Sequence, residues 1–132
     1  VRDVFVDTFF WIARINPRDQ WHQKAIDLSS SLKDTYLITS EAVLIELLNY
    51  FSAYGLEMRQ AVAIIIRHII GYQNIRVFRN NFREGLTLFE ARLDKGYSMT
   101  DCISMSIMRR LYVTEVLTHD HHFAQEGFTI LL

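Results

Sequence analysis

The alternation of apolar and polar positions divides the chain into short apolar runs separated by stretches with helical spacing. Val4-Phe5-Val6 is a compact apolar run followed at once by Asp7, the pattern of a buried strand. Thr8 to Ile15 suits a short helix, closed by the restriction that Pro17 places on Asn16. Between Asp19 and Leu32 a helical face carries Trp21, Ala25, Leu28 and Leu32. Thr35 to Thr39 is β-rich, and Ser40 then has the character of an N-cap, with Glu41 favourable in the first turn. The helix it opens is expected to reach about Tyr54. The apolar run around Ile45 and Leu47 predicts that this helix is largely buried.

Gly55, Gly71 and Gly96 each follow a helical stretch and precede an apolar residue, as left-handed glycines that close helices do. Ile75 to Phe78 reads as a strand. Asn81 to Lys95 reads as a helix with Phe82, Leu86, Phe89 and Leu93 facing inward. Met99 to Leu111 is a further helix, Glu115 to Thr118 a strand, and Phe128 to Leu132 a last short strand. Strands that alternate with helices predict a parallel sheet covered on both faces and joined by right-handed crossovers. With no repeat or linker in its 132 residues, the chain is expected to be one domain, residues 1–132.

Charge narrows the chemistry. The 14 basic and 15 acidic side chains leave a net charge of −1, so a grip on nucleic acid by charge alone is excluded and any such contact is local or passes through bound metal. The single cysteine, Cys102, cannot form an internal disulfide and reads as a small core residue. It sets the expectation of a reducing, cytoplasmic setting. No apolar run approaches the ~20 residues of a membrane helix, and no secretory signal precedes the first strand.

Four carboxylates stand out. In open α/β sheets ligands bind beyond the carboxyl ends of the strands. Asp7 ends the first strand and Asp120 lies just past the Glu115–Thr118 strand, so parallel pairing puts both on one edge. Each also has a plainer reading, as the cap of the helix or turn that follows. Glu46 sits mid-helix in an apolar run, flanked on its stripe by Ala42, Asn49 and Ala53. A buried carboxylate there needs a cation, an arginine or a backbone partner. Ser98-Met99-Thr100-Asp101 has the form of an N-terminal capping box, which alone would account for Asp101. Carboxylates gathered on one edge repel each other unless they bind cations or hold protons, and oxygen-only ligation favours Mg²⁺ or Mn²⁺.

His119, His121 and His122 lack the partners of a zinc site and read as loop or helix-start residues. No phosphate-cradling glycine motif is present. Arg14, Arg76, Arg79 and Arg83 are candidates to contact a phosphate backbone, against the plainer reading of solvated side chains. The consecutive apolar residues Phe9-Phe10-Trp11-Ile12 are expected to offer a partner surface.

In this order the pieces resemble the PIN-domain family: Val4-Phe5-Val6-Asp7-Thr8, the stretch from Thr39 to Leu47 that contains Glu46, the stretch from Gly96 to Ser104 that contains Asp101, and Val116 to Phe123 with Asp120. The compact length is similar to the VapC-like toxins of type II toxin–antitoxin pairs. The resemblance implies a PIN-like three-layer α/β/α domain with a central parallel sheet of four to five strands. It implies an acidic pocket in which Asp7, Glu46, Asp101 and Asp120 hold Mg²⁺ or Mn²⁺ for RNA hydrolysis, with Thr8 and Thr118 supporting them. It also implies a cognate antitoxin protein and a homodimer. Two rival readings remain: a catalytically silent PIN-like module that binds RNA or protein, and a metal-dependent phosphatase, for which the expected Asp-x-Asp after the first strand is missing.

Overall fold

The computed structural model describes residues 2–132. In chain order the elements are β1 (Arg2–Val6), α1 (Thr8–Ile15), α2 (His22–Ser31), β2 (Thr35–Ser40), α3 (Glu41–Tyr50) and α4 (Leu56–Gly71), followed by β3 (Ile75–Phe78), α5 (Phe82–Ala91), α6 (Met99–Leu111), β4 (Glu115–Leu117), α7 (His121–Gln125) and β5 (Thr129–Ile130). The five strands form one sheet in the order β3-β2-β1-β4-β5, and every pairing is parallel.

β1 is the central strand. Its residues alternate between the two faces of the sheet, yet Val4, Phe5 and Val6 are all fully buried. Both faces are therefore covered by helices, which is the condition under which a parallel strand reads as a continuous apolar run. From β1 the chain steps outward through β2 to β3, then crosses back to β4 on the other side. The carboxyl ends of β1 and β4 thus flank the point where strand order reverses, and such points open a crevice between the loops. Asp7 follows β1 there, and its amide donates to the Leu117 carbonyl at 3.2 Å.

The helices depart from the sequence pattern in instructive places. α3 stops at Tyr50, short of Tyr54, and the chain turns at Phe51, whose buried ring packs into the core. α3 is also not buried all round: Val43, Leu44 and Leu47 face inward, while Ile45 and Leu48 are exposed. Of the three glycines, Gly96 has the positive φ expected of a chain reversal (73°). Gly55 caps the start of α4 with φ 93° and extended ψ, and Gly71 is the last residue of α4 with no left-handed turn. A left-handed residue does close α6, but it is Tyr112.

α5 ends at Ala91 and is rotated from the expected face: of Phe82, Leu86, Phe89 and Leu93, Phe89 alone packs against the core. Phe82 and Leu93 are 59% and 74% exposed, and Leu86 is exposed too, whereas Gly85 and Leu88 are buried. The reason is close approach. A Cβ on Gly85 would lie 2.6 Å from Ile103 Cγ1 and 3.1 Å from the Ile103 backbone, so α5 meets α6 through its smallest residue. The run Phe9–Ile12 is likewise mostly internal. α1 packs against both α2 and α3, which buries Phe10, Trp11 and Ile12 and leaves Phe9 alone exposed. No helix among the described residues is long and apolar enough to cross a membrane.

Candidate metal centre

Asp7 occupies the N-cap position of α1 with extended backbone, but its side chain makes no capping bond. The carboxylate instead turns towards β4, where Thr118 Oγ1 donates to Asp7 Oδ2 at 2.9 Å. It is 1% exposed. Burial is the main reason its pKa is pushed up to about 8, and the nearby charges of Asp101 and Glu46 add to the shift, while the bonds from Thr118 and the Thr8 backbone oppose it.

Thr118 serves two acids at once. While donating to Asp7, its Oγ1 accepts the Asp120 backbone amide at 3.1 Å. Asp120 in turn starts α7, its Oδ1 accepting the His122 amide at 3.0 Å. On α6 the capping box forms as the sequence suggests: Ser98 Oγ accepts the Asp101 amide at 3.0 Å, and Asp101 Oδ2 accepts the Ser98 amide at 3.1 Å. The plainer readings of Asp101 and Asp120 as caps therefore hold, and each cap also aims its carboxylate into the crevice. Asp101 is pulled above its ordinary pKa by burial first, and further by the charges of Asp120 and Glu46. Glu46, half-buried on α3, lines the same cavity of about 360 Å³ together with Thr8, Asp101 and Asp120.

Sequence reasoning set His122 aside, and the structure brings it in. Its Nδ1 lies 3.3 Å from Asp120 Oδ1 and 3.6 Å from Asp101 Oδ2. One ligand atom from each of Asp101, Asp120 and His122 falls within 4.8 Å of the others. The His122 Nδ1 atom is buried without a hydrogen-bond partner, as is the Thr8 hydroxyl. A buried nitrogen without a partner, facing two carboxylates, fits a cation, and it makes the donor set mixed where oxygen alone was expected. The signal was present in the spacing: an Asp that caps a helix through the amide two residues on brings that residue's side chain beside its own.

A single buried carboxylate held by two arginines fixes the end of α7. Glu126 ends that helix with its side chain almost fully buried. It accepts from Arg92 Nε at 2.5 Å, from the Tyr97 hydroxyl at 3.2 Å, and from Arg109. Burial would raise its pKa, but the two guanidiniums outweigh that and hold it below the ordinary carboxylate range. The Tyr97 ring lies 5.3 Å from the His122 ring, so the clamp reaches the histidine that faces Asp101 and Asp120. Replacing Glu126 by Ala is expected to lower stability by about 2 kcal/mol, since both arginines can partly return to water; urea unfolding measures it.

The four arginines lie elsewhere. Arg14 donates to Ser29 Oγ at 3.2 Å beside a separate cavity. Arg76 lies over the Phe78 ring at 4.8 Å, and Arg79 pairs with Glu41 at 3.1 Å. Arg83 is exposed on α5. None lines the acidic cavity, nor does any lysine.

No protein-family model matches the sequence, and no curated protein does. Solved structures do. The structure of the Sarcin-Ricin-loop-cleaving toxin VapC20 from Mycobacterium tuberculosis superposes with a TM-score of 0.83 at 25% identity, over 96% of each chain. The chain has a VapC-like PIN fold. VapBC2 from Rickettsia felis, solved with a DNA fragment from its promoter, shares the PIN fold at 14% identity (TM-score 0.67; 98% of this chain, 97% of that one). FitAcB from Neisseria gonorrhoeae does so at 13% identity (TM-score 0.63; 98% and 96%). In this fold the acidic crevice sits where strand order reverses, between β1 and β4.

Proposed function

We propose that this chain is a metal-dependent endoribonuclease, the toxin of a type II toxin–antitoxin pair, acting in the cytoplasm as a single PIN domain over residues 1–132. The observation that carries the reading is the convergence of Asp101, Asp120 and His122 on one point, with Asp7 and Glu46 close enough to perturb or line the same cavity. Asp7, Glu46, Asp101, Asp120 and His122 are the residues that would hold Mg²⁺ or Mn²⁺. Bound there, such an ion supplies a water of lowered pKa and neutralises charge on the phosphate under attack.

The protein's own groups do the rest. Thr118 orients Asp7 and Asp120 together through one hydroxyl. The Ser98 box fixes the Asp101 carboxylate. Glu46 lines the same cavity wall as Asp101 and Asp120 and would take up the proton that hydrolysis releases. VapBC2 and FitAB relatives support an antitoxin partner. The exposed apolar side chains Ile45, Leu48, Leu56, Ile64 and Ile70 along α3 and α4 give an antitoxin or a second copy of the chain a surface to cover.

Labelled single-stranded RNA is expected to be cut in Mg²⁺ or Mn²⁺ and left whole in excess chelator. Intact RNA in every metal, from protein that still binds it, would instead favour a catalytically silent binding module.

A further inference from the structure

Polar groups from Glu46, Ser98, Asp101, Asp120 and His122 line the acidic cavity, and so do the apolar side chains of Phe9, Ile12 and Tyr50. Phe9 and Tyr50 are 40% and 42% exposed, although an aromatic ring so close to the core would ordinarily be covered. Both rings are braced from behind. The Phe9 ring lies 4.5 Å from the His119 ring, which stacks in turn on Trp21 at 4.9 Å with the planes 17° apart. Of these three rings Phe9 alone lines the cavity, its plane tilted 45° to that of His119. Tyr50 stacks on Tyr54 at 5.5 Å and meets the buried Phe51 edge-on at 4.9 Å.

We propose that this aromatic wall is a nucleobase subsite, which takes an unstacked base of single-stranded RNA against Phe9 and Tyr50 while the adjoining phosphate lies over the acids. The inference rests on the nuclease reading of the same cavity and adds the form of substrate it accepts.

Two observations carry it. First, no arginine or lysine lines the cavity, and the chain's net charge is −1. The usual ionic grip on phosphates is therefore missing at this point, and the hold on RNA has to come from metal and from stacking. Second, the aromatic rings and the acids line one cavity of about 360 Å³, small enough that a single nucleotide held there meets both. A base inside a duplex already has both faces stacked and cannot use such a wall. Stacking tolerates any base, because every base has a π-face. The site accordingly selects an unpaired nucleotide and leaves sequence choice to other contacts.

The test uses a pool of short single-stranded RNAs of mixed sequence, each with one 2-aminopurine, titrated with the full-length Asp7→Asn protein in Mg²⁺. Fluorescence reports stacking, and the titration gives the affinity. Phe9→Leu and Tyr50→Leu, made in that background, are expected to weaken binding roughly tenfold each and to reduce the quench, with Phe9→Trp restoring both. Thermal melts confirm that the variants remain folded. The same RNA annealed to its complement is expected to compete poorly. Leucine variants that bind and quench like their parent, equal competition by the duplex, or no binding by the parent would each overturn the subsite. The nuclease reading fails separately, if wild type and Asp7→Asn cut RNA equally well, and that result does not alter what the fluorescence decides.

Discussion

Asp7→Asn is expected to move activity and stability in opposite directions. Cleavage should fall by at least about 10²–10³-fold, the loss typical when one preorganised polar group at a reacting centre is removed. The metal-free protein should become more stable at neutral pH. Asp7 is nearly without solvent exposure and shares its crevice with Asp101 and Glu46, so its ionised form is disfavoured by burial and by like charge. An amide of the same shape avoids both penalties, and its carbonyl can still accept from the Thr118 hydroxyl. A residue whose role is structural behaves otherwise: its removal costs stability, and activity declines only as the fold does. Initial rates on single-stranded RNA and a thermal melt in chelator, on the same preparations, separate the two. A variant that is both inactive and less stable would place Asp7 among the structural groups.

Much of this arrangement was legible in the chain itself. The spans of α1, β3 and α6 follow from apolar spacing, a proline and a capping serine, all local signals. The placing of Asp7 and Asp120 on one edge needed only the inference that their strands run parallel, and β1 and β4 do. What the sequence hid depended on packing between distant elements. α5 keeps Phe89 against the core but turns Phe82, Leu86 and Leu93 outward, because contact with Ile103 selects the face with Gly85. α3 looked buried because it is apolar on most sides, but a face left for another surface has the same composition as one packed in the core. His122 was judged against zinc-site spacing, and its relation to Asp101, 21 positions away in sequence, exists only once α7 packs beside α6. The sequence likewise gives no sign of where Arg14, Arg76, Arg79 and Arg83 lie relative to the cavity, whose lining includes none of them.

The second large effect is a pH dependence of stability that metal removes. With its folded pKa near 8 against an ordinary value of 3.8, Asp7 stays protonated in the metal-free fold across a range in which the unfolded chain has already lost that proton. Its contribution is therefore fully present below about pH 4, declines as pH rises from there to about 8, and is level beyond. The upper limit of that decline is roughly 6 kcal/mol. Asp101, also raised, adds in the same sense. His119 works in the opposite sense, because burial lowers its pKa and its neutral form is the one the fold prefers. The slope that belongs to Asp7 is thus the difference between wild type and Asp7→Asn in urea unfolding between pH 5 and 8, with chelator present. Saturating Mg²⁺ or Mn²⁺ binds the deprotonated carboxylates and releases their protons, so at a hundredfold excess over its pH 8 Kd it should stabilise the wild type by about 3 kcal/mol at pH 8, less at pH 5, and flatten the slope. Parallel slopes for the two proteins would mean that Asp7 is ionised in the metal-free fold, and that some cation or donor besides Thr118 already compensates it.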